Sequence, residues 1–119
     1  MHKSLPRTID YIEMPSRDLD ATTRFFAGLF GWSFENYGPA YVAFDDGRTA
    51  GGFFSAPEAW TNAASCPLVV FYMPELEQAL ADVRRLGGRM TKDMFDFPGG
   101  RRFHFEAPGS GEFAIWSDR

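Results

Sequence analysis

Apolar residues along the chain fall into two stretches of helical period. Leu19, Thr22, Phe26, Leu29 and Phe30 recur at spacings of three and four, and so do Leu76, Ala79, Leu80, Val83 and Leu86, so each stretch predicts an amphipathic helix of about three turns. The two stretches are copies. Asp18-Leu19, Phe26, Leu29 and Gly31 are answered by Glu75-Leu76, Val83, Leu86 and Gly88 at a constant offset of 57 (75 − 18, 83 − 26, 86 − 29, 88 − 31), and self-similarity at a fixed period decides architecture before any local reading does. An acidic residue opens each helix, where orphan N–H groups and the dipole favour negative charge, and Gly31 and Gly88 stand where a left-handed residue ends a helix.

Strand signals surround both helices. Thr8–Met14 and Pro67–Met73 precede them; Trp32–Tyr37, Tyr41–Asp45 and Thr49–Ser55 follow the first, and Arg89–Asp96, Arg101–Glu106 and Glu112–Ser117 follow the second. Tyr37-Gly38-Pro39, Asp45-Asp46-Gly47, Phe97-Pro98-Gly99-Gly100 and the longer Ala107-Pro108-Gly109-Ser110-Gly111 supply the turns. The unit reads βαβββ twice, which predicts one α+β domain over residues 1–119, with module one at about 8–55, a linker at 56–66 and module two at about 67–117. A helix covers one face of each mostly antiparallel sheet, so the opposite faces are left to curve around a shared cleft. Ala56–Ser65 has linker composition, but Trp60 in its middle is costly to leave in water; the loop is expected to fold back as a lid or a dimer contact.

Composition narrows the function. The chain has 119 residues, and its 12 Lys and Arg against 16 Asp and Glu leave a net charge of −4. The halves carry 5 − 7 = −2 and 7 − 9 = −2, without the basic stripe nucleic-acid binding needs, so no nucleic-acid partner is expected. Thirteen Phe, four Tyr and three Trp give enough ring surface to line a cavity as well as fill a core. The longest mostly apolar run, Cys66 to Pro74, is about half of what a spanning helix requires, and no leader pattern opens the chain, so a soluble, cytoplasmic protein without a membrane partner is expected. Cys66 stands alone, which excludes a disulfide framework and a thiolate cluster.

Asp18-Leu19 and Phe25-Phe26 leading into Leu29-Phe30-Gly31-Trp32, with the second Glu75-Leu76 and Leu86-Gly87-Gly88, resemble the vicinal oxygen chelate superfamily of glyoxalase I, extradiol dioxygenases and bleomycin-resistance proteins. The resemblance covers nearly the whole chain. It implies paired βαβββ modules in an open barrel around a cleft, a homodimer, and in the enzymes a divalent metal. The positions that match the metal ligands are Tyr11 on the first strand, Leu68 at its repeat, Gly51 or Gly52, and Ala114. A metal site needs several His or carboxylate donors at about 2.0–2.3 Å, and these residues do not supply them. No metal and no other cofactor are expected.

Alternation puts Ile9, Tyr11 and Glu13 on one face of the first strand and Asp10, Ile12 and Met14 on the other. With Ile12 and Met14 under the helix, Tyr11 and Glu13 face the cleft, where a desolvated carboxylate could act as acid or base or hold a cation. Leu68, Val70 and Tyr72, with Ala114 and Trp116 on the last strand and Trp32 and Phe54 (or Phe53) from module one, read as an apolar ligand pocket; core packing is the competing explanation for any one ring. His104 falls beside Arg102 and Glu106 on a face read as solvated, with no nucleophile spaced to pair with it. His2 lies near the terminus, Cys66 has no basic neighbour in sequence, and Gly99-Gly100 before Arg101-Arg102 is explained by a turn.

The sequence therefore favours a metal-free protein that binds a small, partly apolar or aromatic molecule in the manner of bleomycin-resistance proteins. Two alternatives stand beside it: a glyoxalase-like lyase, isomerase or hydrolase that moves a proton with Glu13 and Tyr11, and a protein-interaction module.

Overall fold

The computed structural model describes residues 3–57 and 66–119. Its elements run β1 (Tyr11–Ser16), α1 (Leu19–Phe30), β2 (Ser33–Asn36), β3 (Tyr41–Asp45), β4 (Ala50–Ser55), β5 (Val69–Tyr72), α2 (Leu76–Arg85), β6 (Arg89–Phe97), β7 (Gly100–Glu106) and β8 (Glu112–Ser117). Every predicted element is present, in the predicted order. Trp60 and His2 lie outside the described residues.

Four strands form each sheet, in the orders β1-β4-β3-β2 and β5-β8-β7-β6. In both, the first strand of the module pairs in parallel with the last, and the remaining pairs are antiparallel. The sheets do not close into a barrel, so the fold is an open α+β arrangement of two mixed sheets and two helices.

Asp18 caps α1, accepting the Ala21 N–H at 3.1 Å, and Gly31 ends it in the left-handed region with φ of 71°. At the second helix the structure differs from the repeat pattern. Glu75 makes no side-chain cap bond, and the left-handed residue is Gly87, with φ of 99°, not Gly88. Gly88 is required for a different reason: a Cβ there would lie 2.6 Å from Val83 Cγ1.

One core joins the two modules. Phe26 of α1 is fully buried and contacts Phe53 of β4, Phe71 of β5 and Phe113 of β8, with ring centroids 5.7, 5.9 and 5.2 Å away. Both sheets thus turn their helix-covered faces toward the same rings, and burying such rings supplies the largest share of the stabilisation. The β7–β8 loop adds a polar tie, because its carbonyls accept from module one: Pro108 from the Thr22 hydroxyl at 2.7 Å and Gly109 from the Arg17 N–H at 2.8 Å. In return the Ser110 hydroxyl donates to the Pro15 carbonyl at 2.9 Å.

Candidate functional site

The faces turned away from the core carry the chemistry, and they differ. On the first sheet, β1 alternates as the sequence predicts: Met14 is buried, Ile12 packs on the core, and Tyr11 and Glu13 point the other way. Strand register sets Tyr41 and Phe54 on that same outer face. The Tyr41 hydroxyl donates to Glu13 Oε2 at 2.9 Å and lies 2.6 Å from the Tyr11 hydroxyl. Tyr41 is therefore the hub between the two predicted catalytic residues, a role that alternation within β1 alone does not reveal. Burial first, then the bonds to Tyr11 and Glu13, hold its phenol well above the ordinary range, so it stays a donor.

The expectation of a desolvated Glu13 in an aromatic cleft is corrected here: Glu13 is exposed, and so are Tyr11 and Phe54 at 43% and 39%. The reason is that the rings expected around them went to the core. Phe53 is fully buried, and Trp32 stacks on Phe26 and Phe44 at 4.8 and 4.6 Å.

A cavity of 910 Å³ opens where the modules meet, lined by residues of both. Trp32, Val70, Tyr72 and Trp116, four of the predicted ligand residues, line it together, with Phe71 and Ile9 adding apolar surface and Lys3, Asp46 and Arg48 adding charge. Phe54, Leu68 and Ala114 are not among the lining residues. Leu68 precedes β5 instead of lying within it, and Ala114 is fully buried inside β8 between Val70 and His104.

The second sheet's outer face is ordered in rows. Val70, Ala114, His104 and Lys92 stand abreast across β5, β8, β7 and β6, and Tyr72, Trp116, Arg102 and Phe95 form the next row. His104, read from the sequence as part of a solvated face, is only 7% exposed. Phe95 accounts for the difference: its ring sits 5.9 Å from the imidazole and carries the Arg102 guanidinium at 5.5 Å and the Lys92 ammonium at 5.1 Å. His104 Nδ1 is 3.1 Å from Glu112 Oε2, which also accepts the Thr91 hydroxyl at 3.0 Å. Burial, with help from the Arg102 and Lys92 charges, pushes the imidazole below its ordinary pKa against the opposing pull of Glu112. A neutral ring then carries its proton on Nδ1, toward the carboxylate, and leaves a lone pair on Nε2.

The positions matching a metal site do not fit a metal. Tyr11 is engaged by Tyr41, and a side chain at Gly52 would run into the Tyr41 phenol. Ala114 and Leu68 offer no donor, and among the described residues no three His, Cys, Asp or Glu come together to hold an ion. Cys66 is a free, partly buried thiol.

Comparison with solved structures places the fold. The chain superposes on the fosfomycin resistance protein FosX of Listeria monocytogenes with a TM-score of 0.80 at 16% identity, covering 95% of this chain and 94% of that one. It is similar to lactoylglutathione lyase of Agrobacterium tumefaciens (TM-score 0.70, 18% identity, 96% of each chain). TioX of Micromonospora sp. ML1 is also similar (0.70, 14%, 94% of this chain and 99% of that one). No curated protein matches the sequence. Residues 8–114, which hold both βαβββ units except the second half of β8, match the family model, and the chain belongs to the Glyoxalase/Bleomycin resistance protein/Dioxygenase superfamily.

Proposed function

We propose that this chain binds a small, partly aromatic molecule, without a metal, in the cavity between its modules. The observation that carries the reading is that Trp32, Val70, Tyr72 and Trp116 line one 910 Å³ cavity, a size and lining suited to small-molecule sites. The missing donors at the positions matching a metal site support the metal-free part. Similar structures include proteins named for fosfomycin resistance and for lactoylglutathione lyase activity; the present donor set supports binding over metal-assisted turnover. The test uses 2-naphthamide, a neutral aromatic probe, followed by calorimetry. Saturable binding that weakens about tenfold or more in Trp116→Ala is expected; a wild-type protein that does not bind the probe overturns the reading. Elemental analysis giving about one metal per chain, with unfolding on chelation, overturns the metal-free part.

The protein is further proposed to be a cytoplasmic homodimer. Val70 and Tyr72 on one outer face are 40% and 45% exposed, matching the exposed Tyr11 and Phe54 on the other, which is much apolar surface for a chain of this size. Sedimentation as a 13.4 kDa species at micromolar concentration overturns it.

The Glu13–Tyr41–Tyr11 chain favours one second reading, proton transfer by Glu13 with Tyr41 as the neighbouring donor. Turnover of any metabolite that is lost in both Glu13→Gln and Tyr41→Phe supports it.

A further inference from the structure

Two polar atoms on the second sheet have lost water without gaining a partner among the described residues: Arg102 Nε and His104 Nε2. Each such group costs about 1–3 kcal/mol, and proteins retain few of them without a use. They belong to neighbouring positions of one outer face, since Arg102 is level with Trp116 and His104 with Ala114. The Phe95 ring lies against both side chains, and β6 slips register on either side of Lys92, once before it and again between Lys92 and Phe95. The Arg102 guanidinium is thus covered by two rings of this irregular strand, Phe95 at 5.5 Å and Phe97 at 5.8 Å, and Phe95 also lies against His104. One of the two atoms is a donor and the other a basic lone pair, and His104 is braced from behind by Glu112.

We infer that Arg102 and His104 form an oxyanion subsite, in which Arg102 Nε–H donates to a carboxylate or phosphate group of the ligand and His104, taking a proton from solvent at Nε2, donates to the same group. The balance is simple. One proton passes from water or buffer to Nε2, Nδ1–H stays on Glu112, and no covalent bond to the ligand changes. The charged groups facing His104 are Arg102 on β7, Lys92 on β6 and Glu112 on β8, while Glu106 on β7 is paired with Arg89 at 2.8 Å. Arg102 and Lys92 oppose protonation of the empty site, and an arriving anion reverses that balance.

The inference deepens the cavity reading and rests on it for the ligand's apolar body. Val70, Tyr72 and Trp116 border the cavity, and His104 stands two strands from Val70, roughly 10 Å away. The ligand class is therefore an aromatic acid or aryl phosphate whose ring occupies the cavity and whose anion reaches β7.

The chain has two histidines, so His2→Gln leaves one imidazole to observe. Nitrogen-15 spectra of that variant are followed through pH titrations alone, with inorganic phosphate, with 2-naphthoate and with isosteric, neutral 2-naphthamide. Alone, His104 should show the Nδ1–H tautomer. With phosphate or naphthoate its pKa should rise by about one unit or more, with Nε2 becoming protonated. Naphthamide should leave it unchanged. Arg102→Met, with its fold checked by circular dichroism, should weaken naphthoate binding about tenfold or more and leave naphthamide binding intact, and His104→Gln provides a second variant with the same expectation. Should neither anion protonate Nε2, or should naphthoate bind Arg102→Met as tightly as wild type, the subsite is overturned. Naphthamide binding in that event leaves the cavity reading standing, whereas protonation by phosphate without binding of either naphthyl probe supports the subsite and removes the cavity.

Discussion

The two sheets share one strand order, yet their outer faces hold opposite chemistry. On the first, an exposed carboxylate is bonded to a phenol whose ring fills the space over Gly52. On the second, a buried imidazole is bonded to a carboxylate beneath an aromatic ring, with a guanidinium and an ammonium stacked on that ring. A shared core requires apolar residues at the helix-facing positions of both halves. The outer faces are free to differ, because solvent or a ligand imposes weaker constraints than close packing. An acid in water and a base out of water are the result.

The strongest way to break this comparison is to remove what the halves share. Phe26→Ala should cost about 3–5 kcal/mol, and denaturation followed by both fluorescence and circular dichroism should stay a single transition, since the ring touches both sheets. Two separated transitions would show that the modules do not depend on a common core. Next comes Gly52→Ala, expected to cost about 1–3 kcal/mol, because the added methyl displaces the Tyr41 phenol. A neutral result in urea unfolding would mean that Tyr41 does not occupy that space.

Glu112→Ala strips the brace from a buried imidazole and should also cost about 1–3 kcal/mol. The pH dependence sharpens the point. Folded His104 has its pKa below the ordinary 6.5, chiefly through burial, so below that pH the unfolded chain takes up a proton that the folded chain refuses. Its contribution to stability is complete above the unfolded value and is lost as pH falls toward the depressed folded value. Thermal melts between pH 5 and pH 7.5, in buffers bracketing the ordinary histidine range of about 6.5, should therefore have a steeper slope in wild type than in His104→Gln; equal slopes would refute the buried neutral base. Glu13→Gln is the smallest effect. An exposed carboxylate accepting one phenol should change stability by no more than about 0.5 kcal/mol, and a loss of several kcal/mol at neutral pH would mark Glu13 as a structural ion-pair member.

The sequence by itself determined the architecture of this protein. Helical and strand periods, glycines after the helices and a constant offset carry local information, and local information survives without knowledge of the fold. Of the proposed pocket, Trp32, Val70, Tyr72 and Trp116 were legible because alternation and ring content foretell what stands beside an apolar space. The left-handed residue beyond helix two is Gly87 and not Gly88, and Gly88 is instead held by its close approach to Val83, a distance no repeat encodes. The placement of Tyr41 between Tyr11 and Glu13, and of Phe95 over His104, depends on register between strands that are distant in the chain or slip past one another. Alternation says which way a side chain points, but burial is decided by what arrives from elsewhere to cover it. For Glu13 nothing arrived, and for His104 an aromatic ring did; only the tertiary structure could decide that.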